Sequence, residues 1–171
     1  MIPSRGFSLI ELVMVIIVLG IISVYAMPRM GSLNAYSLQR SAQELVEAVR
    51  YTQTMSMNHS GDPLYQIALT GNGFTVYQDL DGDNSFDAPG EQVTNPIDGS
   101  GSYTEDAGEW AGVSFTQTGS ISFDSRGMPS CVVSYAPCST PSNADVAITL
   151  TMGTENLGVT IEAYTGYARI N

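Results

Sequence analysis

An unbroken apolar run near the N-terminus constrains this chain more than any other feature. Residues 7–27 form a run of 21 almost entirely apolar residues, and the short polar segment ahead of it holds one charge, Arg5. As a helix this run would extend about 31 Å, which is enough to cross the hydrocarbon core of a bilayer. An arginine ahead of such a run favours leaving that end in the cytoplasm. We therefore predict a single membrane-spanning helix with the remainder of the chain exported.

Glu11 is the residue that an ordinary anchor does not explain. It places a carboxylate at the fifth position of the apolar run, where a charge costs about 2.5–3.5 kcal/mol on insertion scales. A secretory signal peptide is one alternative, because Val24-Tyr25-Ala26 fits a small-residue cleavage site. A plain transmembrane anchor is a second alternative. Neither alternative provides a partner for the carboxylate.

The residues around Glu11 support a third interpretation. The sequence Arg5-Gly6-Phe7-Ser8-Leu9-Ile10-Glu11-Leu12-Val13 resembles the class III leader of type IV pilins and pseudopilins. The resemblance implies cleavage by prepilin peptidase between Gly6 and Phe7, followed by N-methylation of Phe7. It further implies that Glu11 serves filament assembly by approaching the amino group of Phe7 in a neighbouring subunit, which neutralises a charge in lipid. The implied partners are other pilin or pseudopilin subunits, prepilin peptidase, an inner-membrane assembly platform and the membrane.

After Pro28 the apolar residues are confined to one face. They recur at three- and four-residue spacing, which is the pattern of an amphipathic helix: Leu38, Ala42, Leu45, Val46 and Val49. We predict that this helix continues to about Met57, before Asn58, Gly61 and Pro63 end it. Pro28 itself lies where pilins often kink their long helix.

Short alternating segments follow and predict β-strands. A hairpin is expected from residues 64–70 and 74–77 around Gly71-Asn72-Gly73. Further strands are expected within residues 120–124, 146–150, 159–161 and 167–170. The prediction is an α+β fold of pilin-like form, in which one long N-terminal helix packs on an antiparallel β-sheet. Residues 79–110 are rich in Gly, Asp, Pro and Ser and predict a long surface loop.

These patterns divide the chain into a leader, a helix and a head. The leader is residues 1–6, and the transmembrane or filament-core helix is residues 7–30. The periplasmic globular head is residues 31–171, made of an amphipathic helix over 31–58 and a β-rich part over 64–171. The predicted location is the bacterial inner membrane, with a single pass, and then the pilus or pseudopilus.

Two segments of the head carry a second, narrower resemblance. The segment Phe123-Asp124-Ser125-Arg126-Gly127-Met128-Pro129 resembles the aromatic–x–x–x–Gly–x–Pro signature of the GspH/FimT group of minor pseudopilins and minor pilins. The segment 159–170, which contains Thr165-Gly166, resembles the terminal hairpin of that group. The resemblance implies a minor subunit that initiates or caps a type IV pilus, an MSHA-type pilus or a type II secretion pseudopilus. The alternative is a major pilin or an adhesin-like pilin whose head loops contact a surface or ligand.

The charge balance argues against nucleic-acid binding. The chain has six arginines, no lysine and 17 carboxylates, for a formal net charge of -11, and such a surface repels phosphate backbones. Nine of the carboxylates fall between Asp79 and Glu109. DNA uptake would require clustered basic residues on the head, where the C-terminal strands supply only Arg126 and Arg169.

The acidic segment contains one candidate metal site. Alternate oxygen-bearing side chains are typical of a calcium loop, and here they are Asp79, Asp81, Asp83, Ser85 and Asp87. The spacing departs from an EF-hand, which requires glycine at the sixth position and an acid at the twelfth. This loop has Asn84 and Gly90 at those positions, and Glu91 comes one residue late. A solvated acidic turn is the favoured interpretation, so no cofactor is expected.

The remaining candidates for chemistry are few. Cys131 and Cys138 predict a structural disulfide if the head is exported, with free thiols or an intermolecular bond as alternatives. His59 is the only histidine, so neither a zinc site nor a catalytic triad with Ser41 and Asp62 is expected. Trp110 is either an exposed binding aromatic or a packing residue. We therefore expect a structural protein rather than an enzyme.

Overall fold

The chain divides into two compact units, Met1–Leu33 and Asn34–Asn171. The computed structural model describes residues 8–26, 33–59, 65–80, 86, 90–99, 101–105, 110, 112–133 and 144–171. The single long helix predicted from the sequence is described as two helices. Residues 27–32 between them, including Pro28, lie outside the described part.

The first unit contains one helix, and the second contains a helix followed by short strands. The elements are α1 (Leu9–Ala26), α2 (Leu33–Asn58), β1 (Tyr65–Thr70), β2 (Gly73–Gln78), β3 (Thr104–Glu105), β4 (Ser114–Phe115), β5 (Gly119–Phe123), β6 (Pro129–Val133), β7 (Val146–Met152), β8 (Glu155–Ile161) and β9 (Ala168–Ile170).

The strands form two antiparallel sheets rather than the one sheet that was predicted. A five-stranded sheet has the order β3-β2-β1-β5-β6, and a four-stranded sheet has the order β4-β7-β8-β9. The predicted hairpin is confirmed, since β1 pairs with β2 from Tyr65 opposite Gln78 to Thr70 opposite Gly73. The α+β class is also confirmed, with a helix packed on antiparallel sheets.

One face of α2 supplies the centre of the core. Leu45, Val49 and Ala42 have no exposed surface, and Leu38 and Val46 are also buried. These five residues are the predicted apolar face, and they belong to one hydrophobic cluster with strand residues of both sheets. The helix ends at Asn58, as in the predicted range of 31–58.

The segment from Glu91 to Glu105 is not the surface loop that the sequence predicted. Val93 donates a backbone hydrogen bond to the Val76 carbonyl at 3.0 Å, and Val76 donates to the Tyr103 carbonyl at 2.9 Å. Val93 and Tyr103 are buried. The prediction of a surface loop was wrong for this stretch. It was based on the polar composition of the segment, whereas two apolar residues within it, Val93 and Tyr103, pack along β2.

Trp110, in the segment between β3 and β4, makes a direct contact with α2. The side chain is 2% exposed and packs edge-on against Phe74. Its Nε1 donates to Glu44 Oε2 of α2 at 2.7 Å, and the other oxygen of Glu44 accepts from Arg40 at 2.7 Å. Trp110 is therefore a packing residue, and its one polar atom is bonded to Glu44 at the margin of the core.

Two tight turns from different sheets meet at Gln53 of α2. The Gln53 Nε2 donates to the Gly127 carbonyl in the β5–β6 turn at 2.9 Å and to the Thr165 carbonyl in the β8–β9 turn at 2.7 Å. Gly127 has φ of 81° and Gly166 has φ of 65°, a region that favours glycine. A Cβ added to Gly166 would overlap the Gly127 carbonyl and the Gln53 amide. The two head segments that resemble the GspH/FimT group therefore form one contact.

Asp124 organises the first of these turns. Its Oδ1 accepts from the backbone N–H groups of Met128 at 2.8 Å and Arg126 at 2.9 Å. Its Oδ2 accepts from the Arg126 guanidinium at 2.9 and 3.0 Å. Partial burial on its own would raise the pKa of Asp124, but the Met128 and Arg126 hydrogen bonds favour the charged form and hold the pKa below its ordinary value.

We expect Gly166→Ala to destabilise the head by about 3 kcal/mol, because a side chain there combines an unfavourable backbone conformation with a clash. Gly71→Ala is the matched control, since nothing lies within 4 Å of the added Cβ. It should change the free energy of unfolding by less than about 0.5 kcal/mol. Thermal unfolding of the detergent-solubilised chain, followed by circular dichroism, measures both. Equal stability of the two variants would contradict the close contact between the turns.

We expect Asp124→Asn to cost about 1 kcal/mol at neutral pH. The folded-state pKa of Asp124 is lower than the unfolded-state value, so its contribution is complete above the unfolded pKa. That contribution is lost as the pH falls through the folded pKa. The difference in melting temperature between wild type and variant should therefore shrink towards zero below about pH 4. A difference that stayed constant down to the acid limit of folding would rule out this account.

Candidate functional site

The start of α1 is defined by a side-chain cap. Ser8 precedes the helix, and its Oγ accepts from the Glu11 backbone N–H at 3.3 Å. The Ser8 carbonyl accepts from the Glu11 and Leu12 N–H groups at 3.1 and 3.2 Å. Serine at the N-cap with glutamate three residues later is the capping-box arrangement. The sequence interpretation missed this role, although the Ser-x-x-Glu spacing was visible.

The position of Glu11 also has an electrostatic consequence. Its carboxylate lies in the first turn of α1, where the unpaired N–H groups and the helix dipole stabilise negative charge. The helix therefore offsets part of the cost of placing a carboxylate in an apolar segment. Glu11, Met14, Val15, Val18 and Leu19 line one shallow cavity of about 400 Å³.

The aliphatic side chains of α1 are unusually exposed for their size. Twelve of them, from Leu9 to Ile22, are between 43% and 84% exposed. A contiguous apolar surface of this extent marks contact with protein or lipid.

Among the described residues, no helix combines the length and hydropathy that a membrane crossing requires.

The predicted processing residues lie outside the described part of the chain. Gly6 and Phe7 are both among the first seven residues, which are not described, so of Gly6, Phe7 and Glu11 the structure describes only Glu11. Cleavage after Gly6, methylation of Phe7 and the assembly role of Glu11 stay predictions.

The predicted disulfide and the predicted calcium loop also fall largely outside the described residues. Cys131 belongs to β6, but its side chain and all of Cys138 are not described. Of the five candidate calcium ligands only Asp79 is described, and it is buried. Within the described ranges, no group of three or more acidic, histidine or cysteine residues is placed to hold a metal ion.

Two described titratable groups of the head, His59 and Tyr103, pack against other aromatic residues of the chain. His59 lies at the end of α2, where its Nδ1 is 2.9 Å from the Met55 carbonyl and its ring packs against Tyr65. Burial, and after it the nearby carboxylates Glu47 and Glu105, raise the pKa of Tyr103 to about 12. Tyr103 is consequently a neutral phenol in the core at physiological pH.

A groove lies between the exposed side of α2 and β9, which is an edge strand of the four-stranded sheet. Its volume is about 480 Å³. Arg50 is part of its lining and donates to the Ala168 carbonyl at 3.1 Å, with the guanidinium carbon 5.4 Å from the centre of the Tyr167 ring. Arg169 is also part of the lining. We call this surface the arginine groove.

The arginine groove was not predictable from the sequence. Arg50 and Ala168 are 118 residues apart, and neither arginine stands in a recognisable motif. The fold brings them together because α2 packs beside β9.

Comparison with known proteins identifies the N-terminal segment. The chain matches the family described as the prokaryotic N-terminal methylation motif, and the match covers residues 1–27. Searches of curated proteins and of solved structures gave no significant match. The match includes Gly6, Phe7 and Glu11, the residues on which the leader interpretation rests. The chain thus carries a prokaryotic N-terminal methylation motif over residues 1–27, and its α+β architecture is consistent with a pilin-like fold.

Proposed function

We propose that this chain is a structural and assembly subunit of a type IV pilus or a type II secretion pseudopilus. The observation that carries the proposal is the methylation motif over residues 1–27. The motif includes a capped helix, α1, whose aliphatic side chains are exposed. Such a subunit works by assembling with other pilin subunits after processing by prepilin peptidase, and it needs no catalytic turnover.

The exposed surface of α1 supports the proposed location. Before assembly, lipid would cover these side chains while the head lies in the periplasm, in a single-pass arrangement with the inner membrane. In the filament, the α1 helices of neighbouring subunits would replace the lipid. Both environments are apolar, so transfer from one to the other does not expose the aliphatic surface to water.

Glu11 gives this transfer its specificity. The first turn of α1 stabilises the carboxylate in part, but a charge in lipid still favours a partner of opposite sign. A methylated amino group at Phe7 of the neighbouring subunit is such a partner. Pairing the two would therefore favour recruitment into the filament over remaining in the membrane.

More specifically, we propose that this chain is a minor subunit, which initiates or caps the filament. This role rests on residues 123–129 and 159–170, which resemble the GspH/FimT group. The contact of both segments with Gln53 supports treating them as one structural element of the head.

Quantitative mass spectrometry of filaments sheared from cells tests both parts. We expect an N-terminal peptide that begins at Phe7 and carries one added methyl group, present in much lower amount than the most abundant subunit. A chain beginning at Met27 would restore the signal-peptide alternative. If this chain were the most abundant subunit, the minor role would be wrong.

We expect Glu11→Gln to lower incorporation into filaments at least tenfold while membrane insertion is retained. Glutamine preserves the capping-box geometry, so this variant removes only the charge. Ser8→Ala is the converse control, because it removes the side-chain cap, at a cost of about 1 kcal/mol, and keeps the carboxylate. Immunoblots of sheared and membrane fractions measure the distribution. Normal assembly of Glu11→Gln, or an equal defect in Ser8→Ala, would contradict the charge-pairing account.

A further inference from the structure

Strand β9 ends the four-stranded sheet, and its outer edge carries backbone groups that face away from β8. The Glu162 N–H donates to the Tyr167 carbonyl at 3.0 Å, so this pair is hydrogen-bonded where β8 and β9 meet. Bonded and non-bonded pairs alternate along antiparallel strands, and the register continues from there to Ile170. The backbone N–H and C=O groups of Ala168 and Ile170 therefore point to the position that a further strand would take.

An open edge of this kind is a template for pairing with another chain. The other sheet ends of the described chain are short or interrupted. β3 and β4 have two residues each, and the Phe115 N–H of β4 is bonded to the Gly71 carbonyl at 3.0 Å. β6 begins at Pro129, and its register with β5 shifts once. β9 has neither a proline nor a register shift, so its edge requires a different form of protection.

Arg50 of α2 places its side chain at this edge. Its Nη2 donates to the outward-facing carbonyl of Ala168 at 3.1 Å. The guanidinium carbon lies 5.4 Å from the centre of the Tyr167 ring, so a cation–π contact helps to hold the group there. A strand that added to β9 would direct an N–H at the same carbonyl. It would meet the N–H groups of a cation, because a guanidinium has donors and no acceptor.

We propose that Arg50 closes the edge of β9 against strand addition and so keeps the heads of separate copies from pairing through it. A residue of the helix thereby protects a strand that follows it by 118 positions in the chain. This role belongs to the folded head and does not depend on assembly into filaments. A closed edge leaves association of the head to its other surfaces.

Sedimentation of the detergent-solubilised full-length chain tests this role. We expect Arg50→Met to contain about fivefold more dimer than the wild type at the same concentration, because the Ala168 carbonyl is then open to a second strand. Residues 34–171 carry four arginines and sixteen carboxylates, so losing one arginine makes the head more acidic and opposes association. An increase in dimer would therefore report the opened edge and not weaker repulsion.

Hydrogen exchange, read by mass spectrometry at single residues, locates the contact. In the wild type the amides of Ala168 and Ile170 should exchange faster than the amide of Arg169, which faces β8. In the Arg50→Met dimer these two amides should exchange about tenfold more slowly than in the wild type. A dimer without this protection would overturn the proposal. A folded Arg50→Met variant as monomeric as the wild type would also overturn it and would leave Arg50 as a brace between α2 and β9.

Two further variants separate the edge from charge and from folding. Arg40→Met removes an exposed arginine of the same helix and should leave the dimer fraction unchanged. Tyr167→Leu keeps Arg50 and removes the ring that holds it. Because Tyr167 is 51% exposed, the head should stay folded, with a dimer fraction between those of the wild type and Arg50→Met. Equal association of Arg40→Met and Arg50→Met would overturn the proposal. If Arg50→Met did not fold, a monomeric Tyr167→Leu would do the same.

Discussion

The head depends on the burial of one face of α2. Its apolar residues join strand residues of both sheets in a single cluster, so the helix is the element that the two sheets share. A sheet that is apolar on one face requires such a partner. The same helix also satisfies polar groups at its margins, with Glu44 bound to Trp110, Gln53 to two turns and Arg50 to the edge strand β9.

These polar contacts explain why two segments that are far apart in the sequence each contain a glycine at the turn that faces Gln53. Gly127 and Gly166 are separated by 39 positions, yet each occupies a backbone conformation that favours glycine, and both lie against Gln53. The aromatic that opens the first segment, Phe123, is fully buried. Both segments are therefore explained by packing against α2, and neither brings together groups suited to catalysis.

Helix α1 distributes its apolar residues differently from the head. In α1 the apolar residues surround the helix and remain exposed, whereas in α2 they are confined to a buried face. The N-terminal cap at Ser8 and the carboxylate at Glu11 belong to the same turn. The backbone N–H of Glu11 takes part in this cap, in addition to the intermolecular role that we propose for its carboxylate. Only a substitution that preserves the cap can separate the two.

The sequence by itself determined several features that depend on neighbours within a few residues. The apolar run, the buried face of α2 and the β1–β2 hairpin all follow from local spacing. The division of the strands into two sheets and the packing of Val93 and Tyr103 along β2 required the tertiary structure. So did the arginine groove, whose two sides are 118 residues apart in the chain. Pairing between distant segments depends on how the whole core closes around α2, and no local pattern encodes which strand edges then lie beside the helix.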